Sequence, residues 1–178
     1  MAQDKKKKRS FHSANVAVIG LGRFGSALAT ELMNYGHQVL GIDSDDRIVQ
    51  SLSTTLTHVV SADTTDEDNL RELGINDMDS AVVAIGADLE ASILTASLLL
   101  QLGVKQVWAK ANSTSHGRIL TQIGVHHVIF PEYEMGRRVA HQVSGESLDY
   151  VHIDEDFVMV KTYVPQVYEG AVLAEAKG

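Results

Sequence analysis

The sequence predicts a doubly wound α/β fold around a parallel six-stranded sheet, and three observations carry that prediction. Short β-branched runs alternate with helical segments between residues 14 and 130. The first run, VAVIG from Val16, leads into Gly20-Leu21-Gly22-Arg23-Phe24-Gly25, a GxGxxG pattern followed by a helix and a second strand that ends in Asp43. Glycines stand where later helices should close, at Gly74, Gly103 and Gly124.

The first β-α-β unit explains itself residue by residue. Val16, Val18 and Ile19 form a buried strand, Ser26–Tyr35 a helix, and Val39–Ile42 a second strand. Gly20 lets the chain turn tightly off the strand, and Gly22 removes a side chain so that backbone can approach a pyrophosphate. Gly25 lets the helix pack close to the sheet, while the helix N-terminus offers free N–H groups and a positive dipole end. Asp43 stands 18 residues after the third glycine. There it is placed to accept hydrogen bonds from ribose hydroxyls, and an acid at this point disfavours the 2′-phosphate of NADP. It could instead cap the next helix, a task open equally to Ser44 or Asp45. The unit predicts a Rossmann-like adenine-nucleotide site, with Gly20, Gly22, Arg23, Phe24, Gly25, Asp43 and Ser44 around the cofactor.

The alternation continues along the chain. A helix around Asp45–Ser53 enters a third strand, Thr57–Ser61, and a helix from Asp66 to Leu73 follows it. Ser80–Ile85 is a fourth strand that stops at Gly86, and its end residues Ala84, Ile85 and Gly86 are small or bare enough to lie beside a nucleotide. A plain strand end would look the same. Leu89–Leu102 is a long helix, with Ile93, Leu94, Leu98 and Leu102 read as its core side and Leu99 and Leu100 as surplus apolar surface for a subunit interface. Gln106–Ala111 is a fifth strand. Its Lys110 falls at the end where such sheets bind ligands and there needs water or an anion. A helix over Ser115–Ile123 and a sixth strand over His127–Phe130 complete an expected order 3-2-1-4-5-6. Glu134–Gln142 begins a C-terminal helix, and Tyr150–Val164 alternates as a strand or hairpin. The expected organisation is a basic tail over 1–13, a nucleotide-binding domain over 14–132 and a linker helix over 133–149. The start of an incomplete second subdomain follows over 150–178, either cut short or paired with another subunit.

Composition narrows the class. The 178 residues are 44 % hydrophobic and 21 % charged, and they include no cysteine, so disulfides, thiolate catalysis and zinc–thiolate sites are excluded. Lys5, Lys6, Lys7, Lys8 and Arg9 oppose only Asp4 in the first ten residues, leaving ten bases and 22 acids in the rest. That acidic body argues against a nucleic-acid partner. Without a long apolar span or a signal core, the chain is expected to be cytoplasmic. The eight histidines show no metal spacing, and no His, Lys or Tyr pair stands out as an acid or base for hydride chemistry. An NAD-dependent oxidoreductase fragment, or an NAD(H) redox sensor, is the rival reading.

The stretches VAVIGLGRFGSALATEL, VLGID, SADTTDEDNL, AVVAIGADLEASILTASLL, VWAKAN and IFPEYEMGRRVA together resemble the RCK (KTN) domain. The resemblance covers about residues 14–150 and is nearest the cytosolic regulatory subunits of Ktr and Trk potassium uptake systems. It implies a non-enzymatic nucleotide sensor, assembled as dimers in an octameric ring on the inner face of a membrane-embedded potassium transporter. ATP or ADP, and in some members NAD or NADH, would bind the cleft and alter ion flux. It further implies that Arg23 reaches a terminal phosphate, where a solvated arginine is the plain alternative. Asp63 and Thr64 would contact adenine, where the alternative is helix capping. Glu132 would lie near a divalent cation (Mg²⁺ or Ca²⁺), where the alternative is a first-turn partner of the helix dipole.

Overall fold

The computed structural model describes residues 13–144, 149–154 and 157–161. The basic run of residues 5–9 and the end of the chain beyond 161 lie outside the described residues. The chain divides into two compact units, residues 1–130 and 131–178.

The first unit is a parallel sheet in the order β3-β2-β1-β4-β5-β6. Its strands are β1 (Asn15–Ile19), β2 (Gln38–Asp43), β3 (His58–Ser61), β4 (Ser80–Val83), β5 (Gln106–Lys110) and β6 (His127–Ile129). The connecting helices are α1 (Arg23–Asn34), α2 (Asp46–Leu52), α3 (Glu67–Glu72), α4 (Leu89–Gln101) and α5 (Thr114–Gln122). This is the topology expected from the alternation of strands and helices.

Alternation along each strand divides the core into two layers. Val16, Val18, Val39 and Val82 point to one face and pack with Ala29 of α1, joined by Leu28 and Leu32 of α1 and by Ile48 and Leu52 of α2. Ala17, Ile19, Ala81, Val83, Val107 and Ala109 take the other face, against Leu70 of α3, Ala96 and Leu99 of α4 and Leu120 of α5. Truncating fully buried Leu70, Leu99 or Leu120 to alanine is expected to cost about 2–5 kcal/mol.

Two expectations needed correction. The first helix begins at Arg23, not Ser26, because Gly22 (φ −62°, ψ −169°) serves as its N-cap and Arg23 is already helical. The face of α4 is shifted: Ile93, Leu98 and Leu102 pack against the core as expected, but they are not its most buried residues. Ser92, Thr95, Ala96 and Leu99 are its buried residues, while Leu94 is 44 % exposed. A helix that is apolar nearly all round gives periodicity little to choose between, and small side chains win the sheet side because they allow closer approach.

In the second unit, α6 (Pro131–Ser144) precedes β7 (Asp149–Asp154) and β8 (Phe157–Lys161), which pair antiparallel with a register shift between His152 and Asp154. The alternating segment from Tyr150 is therefore a hairpin. Among the described residues, no helix is long and apolar enough to cross a membrane.

Candidate functional site

The site is built where β1 hands the chain to α1. Gly20 has φ +88°, a left-handed conformation that an L side chain rarely adopts, and a Cβ there would lie 2.9 Å from the Ile85 backbone nitrogen. The turn is thus pressed against the end of β4, at Ala84 and Ile85. A Cβ on Gly25 would stand 1.9 Å from the Gly20 carbonyl oxygen, so α1 can start this close to the strand only with glycine there. Gly22 is the opposite case. A Cβ on it would meet no atom within 4 Å, because the residue faces open space at the helix start.

That helix start is chemically incomplete. No side chain caps α1, and its first turn contains no acid. The Ser26 N–H bonds the Gly22 carbonyl at 2.9 Å, which leaves the N–H groups of Arg23, Phe24 and Gly25 ahead of the intrahelical ladder. Orphan donors and the positive end of a twelve-residue helix suit an anion.

Asp43 is tied into the same loop. Its Oδ2 accepts the Leu21 N–H at 2.6 Å and its Oδ1 the Asp45 N–H at 2.9 Å. A carboxylate has about four acceptor positions, so each oxygen keeps one for a hydroxyl. The cap of α2 is Asp45, which accepts the Arg47 N–H at 2.9 Å and whose carboxyl is held at about 2 by the hydrogen bond from the Arg47 side chain. The alternative role considered for Asp43 thus belongs to Asp45. Ser44 is exposed beside it.

The far wall is made by Gly86 and Lys110. Lys110 is 9 % exposed, its Nζ lies 5.9 Å from the centroid of the Phe24 ring, and a Cβ on Gly86 would be 3.7 Å from the same nitrogen. One cation therefore touches both the start of α1 and the turn after β4. A largely buried ammonium thus lies on the same side of the sheet as the open helix N–H groups.

Comparison with known proteins gives the family of this fold. A family model described as the TrkA-N domain matches residues 16–131. The chain belongs to the TrkA-N family. It is 43 % identical over 160 residues to the Ktr system potassium uptake protein A of Vibrio alginolyticus, covering 89 % of this chain and 73 % of that protein. It is 39 % identical over 146 residues to the Ktr system potassium uptake protein A of Bacillus subtilis, covering 82 % of this chain and 66 % of that one. The chain thus spans about two thirds of the length of its Bacillus relative. Among solved structures, GsuK bound to ADP superposes with a TM-score of 0.65 at 16 % identity, over 75 % of this chain and 35 % of that one. The GsuK channel bound to NAD gives 0.61 at 16 % identity, over 73 % and 23 %. At that identity the likeness speaks for the fold.

Within the TrkA-N unit the remaining expected residues fall in three places. Arg23 is exposed at the first position of α1. Asp63 is exposed after β3; its Oδ1 accepts the Thr65 hydroxyl at 2.7 Å and the Thr65 N–H at 2.9 Å, bonds that lower its pKa. Thr64 turns inward instead. Its hydroxyl lies 2.9 Å from that of Thr95, and the Thr95 hydroxyl donates to the Thr64 carbonyl at 3.2 Å, so this side chain binds the segment to α4. The cap of α3 is Asp66, whose carboxylate accepts the Asp68 N–H at 2.9 Å.

Glu132 belongs to the second unit, in the first turn of α6. Among the described residues no three His, Asp or Glu side chains come together as a metal site.

Sequence reasoning missed Asn112 and His116. The Asn112 Nδ2 donates to the Gly86 carbonyl across the ends of β5 and β4, and the Asn112 N–H is held by His116 Nδ1 at 3.3 Å. A polar residue two places beyond Lys110 was the available signal for Asn112; for His116 there was none.

Proposed function

We propose that this chain is the nucleotide-sensing regulatory subunit of a potassium uptake system, with an adenine nucleotide held in the crevice between β1 and β4. The observation that carries the reading is the start of α1, uncapped and free of acid, opening beside Gly22 where a Cβ would meet nothing. Family membership and the Ktr relatives supply the biological setting.

In this reading the α1 N–H groups and Lys110 hold the phosphates. Asp43 spends one position per oxygen on the glycine loop and one on a ribose hydroxyl, so sugar recognition and loop shape are coupled. Small Ala84 and the bare Gly86 leave room beside the nucleotide, and the Asp63–Thr64 backbone borders the adenine. Subunits assemble as dimers in a ring on the inner face of the membrane, against a membrane-embedded potassium transporter. Bound nucleotide shifts the ring only by its difference in affinity for two ring shapes. ATP and ADP differ by one phosphate, so Arg23 and Lys110 are the residues that tell them apart.

The test is calorimetric titration with ATP, ADP, NAD and NADH, each with and without Mg²⁺, while light scattering reports mass. Micromolar ATP and ADP binding by an assembly of several subunits supports the reading. Exclusive NAD or NADH binding by a monomer shifts it to a redox sensor or an oxidoreductase fragment. Arg23→Ala is expected to weaken ATP more than ADP, by roughly tenfold for a lost charge-assisted bond; equal losses would contradict its assignment.

A further inference from the structure

Three histidines of the first unit accept a backbone N–H through Nδ1. His37 takes that of Ala14 at 3.2 Å, His126 that of Val107 at 2.9 Å and His116 that of Asn112 at 3.3 Å. A backbone amide can only donate, so a ring nitrogen that accepts from one carries no proton. His116 differs in where its bond leads. Asn112 passes the restraint to Gly86 through its side chain, and Gly86 abuts Lys110, which lies over Phe24 at the mouth of α1.

His116 is also held at a cost. It is 1 % exposed, and its Nε2, which carries the proton in the neutral ring, is buried without a hydrogen-bond partner. An orphaned buried donor is destabilising, and leucine would fill the space without that penalty. The acceptor at Nδ1 is what the histidine contributes in return.

We propose that neutral His116 is a positioning residue for the nucleotide crevice, and that protonating its ring releases Asn112 and thereby weakens nucleotide binding. The inference rests on the nucleotide reading above. Protonation sets an Nδ1–H against the Asn112 N–H, two donors with no acceptor between them. Asn112 or the ring must then move, and the link to Gly86 moves with it.

The surroundings add no competing charge. α5 packs on α4 and β6. The charged or titratable groups that these elements and their starts carry are Asp88 and Glu90 at the start of α4, Arg118 on α5 and His127 on β6, which stacks on Trp108, with Lys110 at the end of the neighbouring β5. None of these acts on the ring: burial alone lowers its pKa below the ordinary 6.5. The sign follows directly. A base whose folded pKa is depressed is fully compatible with the fold at high pH, and its penalty grows as pH falls through the ordinary value toward the folded one.

The deciding experiment is ADP titration of the full chain from about pH 8 to about pH 5.5, with circular dichroism confirming fold at each point. His116→Asn is the key variant, since its Oδ1 can stand where Nδ1 stands and does not titrate. ADP protonates its own phosphate over this range, and the variant carries that common loss. The wild type is expected to lose about threefold more affinity than His116→Asn by the acid end of the range, and His116→Leu to bind weakly at every pH. Parallel wild-type and His116→Asn profiles would overturn the inference while leaving the nucleotide reading intact. Absence of ADP binding at about pH 8 would instead overturn the nucleotide reading, and this inference with it.

Discussion

The start of α4 closes on itself and the start of α1 does not. At α4, Asp88 accepts the Ala91 N–H at 2.9 Å and Glu90 adds negative charge to the first turn. Asp45, Asp66 and Ser113 cap α2, α3 and α5 in the same manner. At α1 the cap is glycine, with no side-chain bond and no acid. All five helix starts lie at the carboxyl ends of the strands, so position does not explain the contrast. The difference teaches that four of the five α-helices of the first unit close their own starts with a side chain, while the one at the glycine loop leaves a turn that a group from outside can complete.

Substitutions can break that contrast in graded ways. Gly25→Val should have the largest effect, because its Cβ would fall on the Gly20 carbonyl oxygen and the whole β1–α1 junction would have to open. A loss of about 3 kcal/mol or more in denaturant unfolding is expected, together with loss of ADP binding. Asp43→Ala comes next. It removes the acceptor for Leu21 and for the ribose, and calorimetry should show ADP affinity falling by roughly thirtyfold, about 2 kcal/mol. Asp88→Ala should have the smallest effect, lowering stability by about 1 kcal/mol through the lost cap and leaving ADP affinity unchanged. A matching loss of ADP affinity in Asp88→Ala would erase the distinction between the two helix starts.

Most of the fold was legible because buried parallel strands read as short apolar runs and glycine marks the helix ends; Gly74, Gly103 and Gly124 all have positive φ. What escaped has physical reasons. The start of α1 was set three residues late because Gly22 carries no capping side chain to announce it. The core face of α4 is only partly legible: Ile93, Leu98 and Leu102 do pack against the core, but Leu94 does not, and Ser92, Thr95 and Ala96 take the closest approach to the sheet by size rather than by hydrophobicity. Within the candidate site, the glycines, Asp43 and Lys110 lie on strand ends and loop positions that a motif fixes. The Asn112–Gly86 bond joins residues 26 apart, and the Leu21–Asp43 bond residues 22 apart, contacts that only the folded sheet creates. Thr64 shows the converse: its place after β3 was readable, but the turn of its hydroxyl toward Thr95 was not.

The central claim is that the start of α1 is left incomplete for a phosphate, and Gly22→Asp tests it most directly. The backbone at Gly22 is already extended, as a capping aspartate requires, and its side chain would enter open space. Thermal unfolding and ADP titration of this one variant should move in opposite directions. The account predicts a fold as stable as the wild type or a few tenths of a kcal/mol more so, with ADP affinity reduced by at least about tenfold as the new carboxylate takes the phosphate's place. A stable Gly22→Asp protein that binds ADP as tightly as the wild type would contradict it.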